Sequence, residues 1–228
     1  SEQAKKQLLA HHPTMMLVDS FSSSEAVGLG QSISAAGAEE RTAHFSLGAN
    51  AAVFDDDGDP VEPGSGVRGR VAVPGHVPIV YYKDPEKSAA TFIEHDGVRY
   101  SMPGDYATVE ADGSITLLGR GSVCINTGGE KVFPEEVEEI LKLDGSVADA
   151  VVVGVPDEKF GEAITAVVEP SGDGIDEAAL VTHVKDHLAH YKAPKRVLRI
   201  DTIGRAPNAK VDYKAMKAYA LAELGMDG

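Results

Sequence analysis

Four short groups of residues have the types and spacing to take part in chemistry. A serine cluster ends in an acid at Glu25, and a second acid, Asp105, follows a glycine. Carboxylates bind hard cations such as Mg²⁺. Gly128 and Gly129 are adjacent, so the backbone there can adopt positive φ or approach a ligand closely. Lys210 carries a compact ammonium, which suits a centre where negative charge gathers. Taken singly, each group also has an ordinary interpretation as a turn or a surface charge.

The glycine pair is positioned by the elements around it. A β-forming run ends at Gly119-Arg120, and a second short apolar run leads to the pair. Pro134 then opens a segment with glutamates in its first turn and apolar residues at helical spacing. Proline is tolerated in the first turn of a helix, and acids there suit the positive end of the helix dipole. The stretch predicts strand, turn, glycine bend and helix.

The rest of the chain predicts mainly β structure before this stretch and α+β structure after it. Residues 15–21 and 67–74 have the length and character of strands, and an Asp112-Gly113 turn indicates a hairpin. The run from 32 to 54 has no assignable pattern. After the stretch, three strands (148–155, 162–169 and 196–201) alternate with helices that begin at Pro134, Asp176 and Val211. This order predicts a small domain with helices on a three-stranded sheet.

Composition narrows the class of protein. The chain has 228 residues, a formal net charge of −15 and 43% hydrophobic residues, enough for two modest domains. It has no basic stripe, so nucleic acid is not an expected partner. No apolar run approaches the roughly 20 residues that span a bilayer. Cys124 is the single cysteine, which excludes an intrachain disulfide and favours a reducing cytoplasm.

Two further groups could bind metal. The acidic run 55–60 invites a calcium interpretation, but it lacks the ligand spacing and the twelfth-position glutamate of an EF-hand, so a solvated turn is favoured. His183 and His187 are four residues apart on a predicted helix. Without a third ligand, surface histidines are favoured over a metal site.

The ordered motifs from 118 to 138 resemble the junction between the two domains of adenylate-forming enzymes, which include acyl-CoA synthetases, peptide-synthetase adenylation domains and luciferases. The resemblance implies that residues 1–119 are the β-rich end of the large AMP-binding domain and that 120–228 are the small C-terminal domain. Ser122 takes the hinge position, where the family places Asp or Lys. Gly119 and Gly121 are expected to supply backbone freedom for the hinge.

The resemblance also implies roles for the candidate residues. Phe21 to Glu25 is similar to the family's nucleotide-site element, which would put Ser24 near the phosphate and Glu25 on Mg²⁺. Asp105 would bind the ribose hydroxyls, and Arg120 would belong to the same nucleotide site.

Two further motifs of the resemblance fall after the junction. Gly128 and Gly129 would line the tunnel for the pantetheine of CoA. Arg205 to Lys210 is similar to the loop that carries the catalytic lysine, here Lys210, although Asn208-Ala209 replaces the usual Ser-Gly.

The function implied is that of an ATP-dependent acid:CoA ligase acting through an acyl-adenylate, with ATP, Mg²⁺ and CoA. A fatty or other bulky hydrophobic acid is favoured because Gly28 and Gly30 leave room beside the adenylate. No stretch resembles the family's phosphate loop, so the 228-residue chain tested alone is expected to be inactive. Two alternatives stay open: a ligase that loads a carrier protein, and a non-catalytic nucleotide- or partner-binding module. A homo-oligomer is also left open.

Overall fold

The computed structural model describes residues 2–37, 43–172, 174–207 and 210–226. The chain divides into two compact units, residues 2–122 and 123–228. Each unit has hydrophobic clusters of its own. The assignment of 1–119 and 120–228 to two domains of an enzyme remains a prediction.

The first unit is built on an antiparallel sheet. Its helices and strands are α1 (Glu2–His11), β1 (Met16–Phe21), β2 (Gly30–Ala35), β3 (His44–Leu47), β4 (Ala52–Phe54), β5 (Arg68–Pro74), α2 (Pro85–Thr91), β6 (Phe92–His95), β7 (Val98–Ser101), β8 (Asp105–Val109) and β9 (Ile115–Arg120). Within the described residues the sheet has nine strands in the order β1-β2-β3-β9-β8-β5-β7-β6, with β4 on β5. Leu29, Val71 and Ile115 are fully buried in its main core.

The hairpin of β8 and β9 forms where the Asp112-Gly113 pair predicts it. Gly113 has φ +81°, and the Asp112 carboxylate accepts a hydrogen bond from the Ser114 amide at 3.0 Å. The register pairs Asp105, the first residue of β8, with Arg120, the last residue of β9. The turn therefore places two candidate site residues opposite each other.

The second unit packs helices on both faces of a mixed sheet. Its elements are β10 (Ile125–Thr127), β11 (Glu130–Val132), α3 (Pro134–Leu141), β12 (Val147–Asp157), β13 (Gly161–Pro170), α4 (Glu177–His187), β14 (Arg196–Arg199) and α5 (Tyr213–Glu223). One face of β12 and β13 packs against α3 and α4, and the other packs against α5. Because both faces are covered, these strands consist almost entirely of small and β-branched residues.

The mixed helix-and-sheet class is confirmed, but the predicted number of strands in the second unit is wrong. The three predicted strands are β12, β13 and β14, and in the described part of the unit β10 and β11 extend the sheet to five. These two strands have three residues each, too few for an alternating pattern to show. Strands β3 and β4, with four and three residues, are also too short to show a pattern, and both lie in the unassigned run 32–54.

The acidic run and the histidine pair each make contacts with the backbone. The Asp55 carboxylate accepts hydrogen bonds from the amides of Asp57 and Asp59, which makes the acidic run a turn. His183 Nε2 lies 3.0 Å from the Ile140 carbonyl oxygen, and His187 Nδ1 lies 2.8 Å from that of His183. Among the residues that the structure describes, no group of three His, Cys, Asp or Glu side chains could hold a metal ion.

None of the helices in the described ranges has the length and apolar character needed to cross a membrane.

Candidate functional site

In the first unit, the candidate site begins with an ion pair between a buried aspartate and an exposed arginine. Arg120 Nε donates to Asp105 Oδ1 at 3.1 Å, with 7% of the Asp105 side chain and 58% of the Arg120 side chain exposed. Burial raises the pKa of Asp105, and the Arg120 charge opposes that shift. The second carboxylate oxygen of Asp105 is buried and has no hydrogen-bond partner within the described part of the chain. Asp105 therefore keeps acceptor capacity that its own unit does not use.

Glu25 is held by Tyr81, a contact that the sequence motifs do not predict. The Tyr81 hydroxyl donates to Glu25 Oε1 at 2.7 Å, and this hydrogen bond is the main reason that the pKa of Glu25 is lowered. Tyr81 is fixed in turn by α2, because its amide donates to Ser88 Oγ at 2.8 Å and the Lys87 ammonium lies 4.1 Å from its ring centroid. Burial raises the pKa of Tyr81, so its hydroxyl remains a donor.

Both pairs lie in the first unit. Burial raises the pKa of Asp105 and that of Tyr81. The Glu25 charge adds to the first shift, and the Arg120 charge opposes the second. The two pairs together offer two carboxylates, a guanidinium and a hydroxyl donor, groups that suit a ligand with phosphate, hydroxyl groups and a metal ion.

Ser24 is exposed beside Glu25, and the serine cluster also has an ordinary structural role. Ser23 Oγ accepts hydrogen bonds from the amides of Glu25 at 3.2 Å and Ala26 at 3.0 Å. The loop between β1 and β2 is therefore shaped by Ser23, which leaves the Ser24 hydroxyl at the surface.

A cavity of 470 Å³ opens beside this loop, lined by residues that include Phe21, Gly28, Gly30 and Leu47. Gly28 has φ +78°, and no described atom lies within 4 Å of where its Cβ would be. A Cβ on Gly30 would instead lie 3.0 Å from the Ser46 carbonyl oxygen. The expectation that both glycines leave room for a ligand thus suits Gly28, whereas Gly30 is needed for close packing of β2 on β3.

The predicted hinge position lies in a short 3₁₀ turn at 121–123. Ser122 is exposed. Gly119 has φ +141°, a backbone conformation that favours glycine. Gly121 does not have positive φ, and a Cβ there would lie 2.8 Å from the Tyr106 ring. Its lack of a side chain is therefore explained by packing rather than by freedom of the backbone.

In the second unit, the glycine pair adopts the predicted backbone conformation. Gly128 has φ +61° and Gly129 φ +88°. The Gly128 amide donates to the Phe160 carbonyl oxygen at 2.8 Å. The ammonium groups of Lys195 and Lys159 lie 2.9 Å and 5.1 Å from the centroid of the Phe160 ring. The bend thus lies next to an aromatic ring that has two lysine ammonium groups beside it.

Lys210 is exposed at the end of a loop whose ends are fixed. The Ala206 amide donates to the Lys210 carbonyl oxygen at 3.1 Å, which closes the loop, and Arg205 pairs with Asp149 on β12. Asn208 and Ala209, where the motif departs from the family pattern, lie outside the described residues.

Comparison with known proteins finds a family match in the second unit. The profile of the AMP-binding enzyme C-terminal domain matches residues 136–210, which run from α3 to Lys210. This part of the chain is similar to the C-terminal domain of AMP-binding enzymes.

Relatives of the chain are CoA ligases. The chain is 49% identical, over 95% of its length, to the medium/long-chain-fatty-acid–CoA/3-oxocholest-4-en-26-oate–CoA ligase of Mycolicibacterium smegmatis. It is 46% identical, also over 95%, to the 3-oxocholest-4-en-26-oate–CoA ligase of Rhodococcus rhodochrous. In both cases it spans 40% of the relative.

A solved structure is also similar to the chain. ATP-bound MatB from Rhodopseudomonas palustris is 26% identical, with a TM-score of 0.77 over 96% of this chain and 43% of that one.

The sequence motifs do not show which side chains contact each other. Tyr81 binds Glu25, Asp149 binds Arg205, and Tyr213 binds Glu138, the last residue of the 118–138 motif. Tyr81 is 56 residues from Glu25 in the sequence, and Asp149 is 56 residues from Arg205. The one available signal was the polar type of Asp149 at the start of an otherwise apolar strand.

Proposed function

We propose that the intact protein is an AMP-forming acid:CoA ligase. A substrate carboxylate oxygen attacks the α-phosphorus of ATP, which forms an acyl-adenylate and releases pyrophosphate. The sulfur of CoA then attacks the acyl carbon, the thiol proton is lost, and AMP leaves. The observation that carries this proposal is the pairing of Asp105 with Arg120 and of Glu25 with Tyr81 in the first unit of a chain whose relatives are CoA ligases.

Glu25, Asp105 and Arg120 each have a proposed role. Glu25 would hold Mg²⁺ together with phosphate oxygens and water, a shell in which one protein carboxylate is enough. Asp105 would accept hydrogen bonds from the ribose hydroxyls, which would satisfy its second carboxylate oxygen. Arg120 would supply positive charge to the nucleotide, with the exposed hydroxyl of Ser24 near the phosphate.

Lys210 would act in the first step. An exposed ammonium on a closed loop can reach the α-phosphate and stabilise the charge that develops during attack by the carboxylate. We further propose that 1–119 and 120–228 are the two domains and that Ser122 is at the hinge. After the first step the second domain would rotate, which would move Lys210 away from the site and bring Gly128 and Gly129 to it for entry of the thiol.

CoA, rather than a carrier protein, is favoured as the acceptor. The Phe160 ring with Lys159 and Lys195 provides an aromatic face and two cations next to the glycine bend. CoA carries more phosphate groups with which these two ammonium groups can pair than a phosphopantetheine arm on a carrier protein does. Lys195→Gln should therefore raise the KM for CoA and leave the KM for ATP unchanged.

The acid is proposed to be a fatty acid or a steroid side-chain acid. This rests on the relatives named for medium- and long-chain fatty acids and for 3-oxocholest-4-en-26-oate. A cytoplasmic location, based on the single cysteine, belongs to the same proposal.

The deciding experiment measures both half-reactions of the intact protein. Acid-dependent exchange of pyrophosphate into ATP reports the first, and CoA-dependent AMP release reports the second. Exchange with fatty or steroid acids followed by CoA-dependent AMP release supports the proposal. Exchange without any response to CoA would favour carrier loading. A protein that binds nucleotide but catalyses no exchange with any acid would be a non-catalytic module.

A further inference from the structure

The loop that ends in Lys210 is anchored at its start by an ion pair. Arg205 Nη2 donates to Asp149 Oδ1 at 2.8 Å, and Arg205 Nε donates to Asp149 Oδ2. This bidentate geometry fixes the direction of the guanidinium as well as its position. Two residues earlier, the Ile203 amide donates to the Glu169 carboxylate at 2.8 Å. The start of the loop is therefore bound to β12 and to β13.

A buried carboxylate anchors the other end. Tyr213, three residues after Lys210, directs its hydroxyl to Glu138 on α3, with oxygen–oxygen distances of 3.0 and 3.3 Å. Glu138 is 4% exposed and also accepts a hydrogen bond from the Val152 amide of β12 at 2.9 Å. A buried carboxylate is costly unless it is well bonded, so retaining one beneath a surface loop calls for an explanation.

The two anchors interact with each other. The Asp149 hydrogen bond is the main cause that raises the pKa of Arg205, and the Glu138 charge adds to that shift. Burial raises the pKa of Tyr213, and the Arg205 charge opposes that shift. Two other charged groups act on Glu138, namely Glu135 on its own helix and Lys142 directly after that helix. Both ends of the closed loop therefore rest on one connected polar cluster within the second unit.

We propose that Glu138, Tyr213, Asp149 and Arg205 form a positioning cluster that holds Lys210 in place for adenylate formation. This rests on the proposed role of Lys210. The four residues act through the loop, so they are positioning residues rather than catalytic ones. Because the cluster serves the lysine loop and not the glycine bend, its loss should impair the first half-reaction and spare the second.

Tyr213→Phe in the intact protein tests this proposal, because it removes one hydroxyl and leaves the ring. Acid-dependent pyrophosphate exchange should fall by about tenfold in kcat, since small displacements of a catalytic group cost up to about 10²-fold. Thioester formation from a supplied acyl-adenylate should be unchanged. Tyr219→Phe is the matched control, because the Tyr219 hydroxyl lies on the same helix and donates to the Arg199 carbonyl oxygen instead.

A second readout does not depend on ligase activity. Acetic anhydride labelling with peptide mass mapping gives the reactivity of Lys210 relative to Lys214, which is exposed on α5. Tyr213→Phe and Arg205→Lys should each change this ratio by about twofold or more, the effect of losing part of one hydrogen-bonded anchor, and Tyr219→Phe should not.

Equal loss of both half-reactions, or an unchanged labelling ratio in both anchor variants, would overturn the cluster. If Lys210→Ala leaves exchange intact, the proposed function of the lysine fails, and the labelling ratio still shows whether the cluster fixes the loop.

Discussion

At the scale of single residues, Lys210 gives the most direct prediction. Lys210→Ala should slow acid-dependent pyrophosphate exchange by about 10²–10³-fold, the usual effect of losing one preorganised charge. Thioester formation from a supplied acyl-adenylate should be largely preserved. Lys214→Ala removes a nearby exposed charge and should leave both rates unchanged. A Lys210→Ala variant that slows both steps equally would contradict the two-step role of the loop.

Glu138 predicts a pH dependence of stability. Burial raises the pKa of its carboxyl from 4.5 to about 7, so between these values the folded state holds a proton that the unfolded state has lost. The contribution of Glu138 to the free energy of unfolding is therefore greatest below about pH 4.5. It falls by up to about 3 kcal/mol as the pH rises to about 7.

Glu138→Gln stays neutral and keeps an acceptor for Val152 and Tyr213, so it should gain stability relative to wild type as pH rises from 4.5 to 8. Urea unfolding at several pH values measures the difference. Glu139→Gln, on the same helix but paired with Lys142 near the surface, is the control. A pH-independent difference for Glu138→Gln would show that the carboxyl does not titrate in this range.

The hydrogen bond from Tyr81 predicts how the ionisation of Glu25 depends on pH. Without the hydroxyl donor, the pKa of Glu25 should rise, because that hydrogen bond is the main cause that lowers it. In Tyr81→Phe the acid limb of the exchange activity should move to higher pH. Half-saturation by Mg²⁺ should need roughly twofold to tenfold more metal, as for the loss of one hydrogen bond. Tyr82→Phe, whose ring is 86% exposed, should match wild type in both measurements.

Single residues also show what sequence could reveal. Glu25, Asp105 and Lys210 stand in motifs with neighbours of fixed type, so their candidacy could be seen directly. The contacts of Tyr81 with Glu25 and of Glu138 with Tyr213 could not be predicted, because the partners come from distant segments that only the folded sheet and helices bring together. A pattern within one segment carries no information about such contacts.

At the scale of elements, the glycine bend can be tested for its openness. Both Gly129→Ala and Gly129→Leu incur the strain of φ +88°, so comparing them isolates side-chain size. No described atom lies within 4 Å of a Cβ there, so the added bulk of leucine meets nothing within the unit. If thiol enters past this bend, Leu should slow thioester formation by at least about tenfold relative to Ala, with pyrophosphate exchange equal in the two variants. Equal thioester rates would place the thiol path elsewhere.

The elements differ in how well their sequence predicts them. Helices α3, α4 and α5 are predictable because apolar residues recur at helical spacing, and Pro134 with its following glutamates also indicates the start of α3. Strands β12 and β13 were predicted because they are long and buried on both faces. The parallel pairing of β14 with β13 follows from where α4 packs, so no local pattern could give it.

At the scale of the whole molecule, the two compact units predict a cleavage pattern. Limited trypsinolysis should cut after Arg120, whose side chain is 58% exposed, and release a stable fragment of about a hundred residues, a normal domain size. Far-ultraviolet circular dichroism would show whether the fragment stays folded. Preferred cutting within residues 147–168, which include β12 and most of β13, would contradict a boundary near residue 120.

The anchoring of the Lys210 loop has a consequence for the construction of hybrid proteins. Each contact described for the loop lies after residue 122: Asp149, Glu169 and the Glu138–Tyr213 pair. These described anchors of the lysine loop therefore all belong to the second unit. Grafting residues 123–228 onto the first part of a related ligase should transfer a correctly shaped loop without redesign of the recipient. The hybrid should accept the same acids as the recipient ligase, and the role of its lysine in catalysis should be the same as in the protein that supplied residues 123–228.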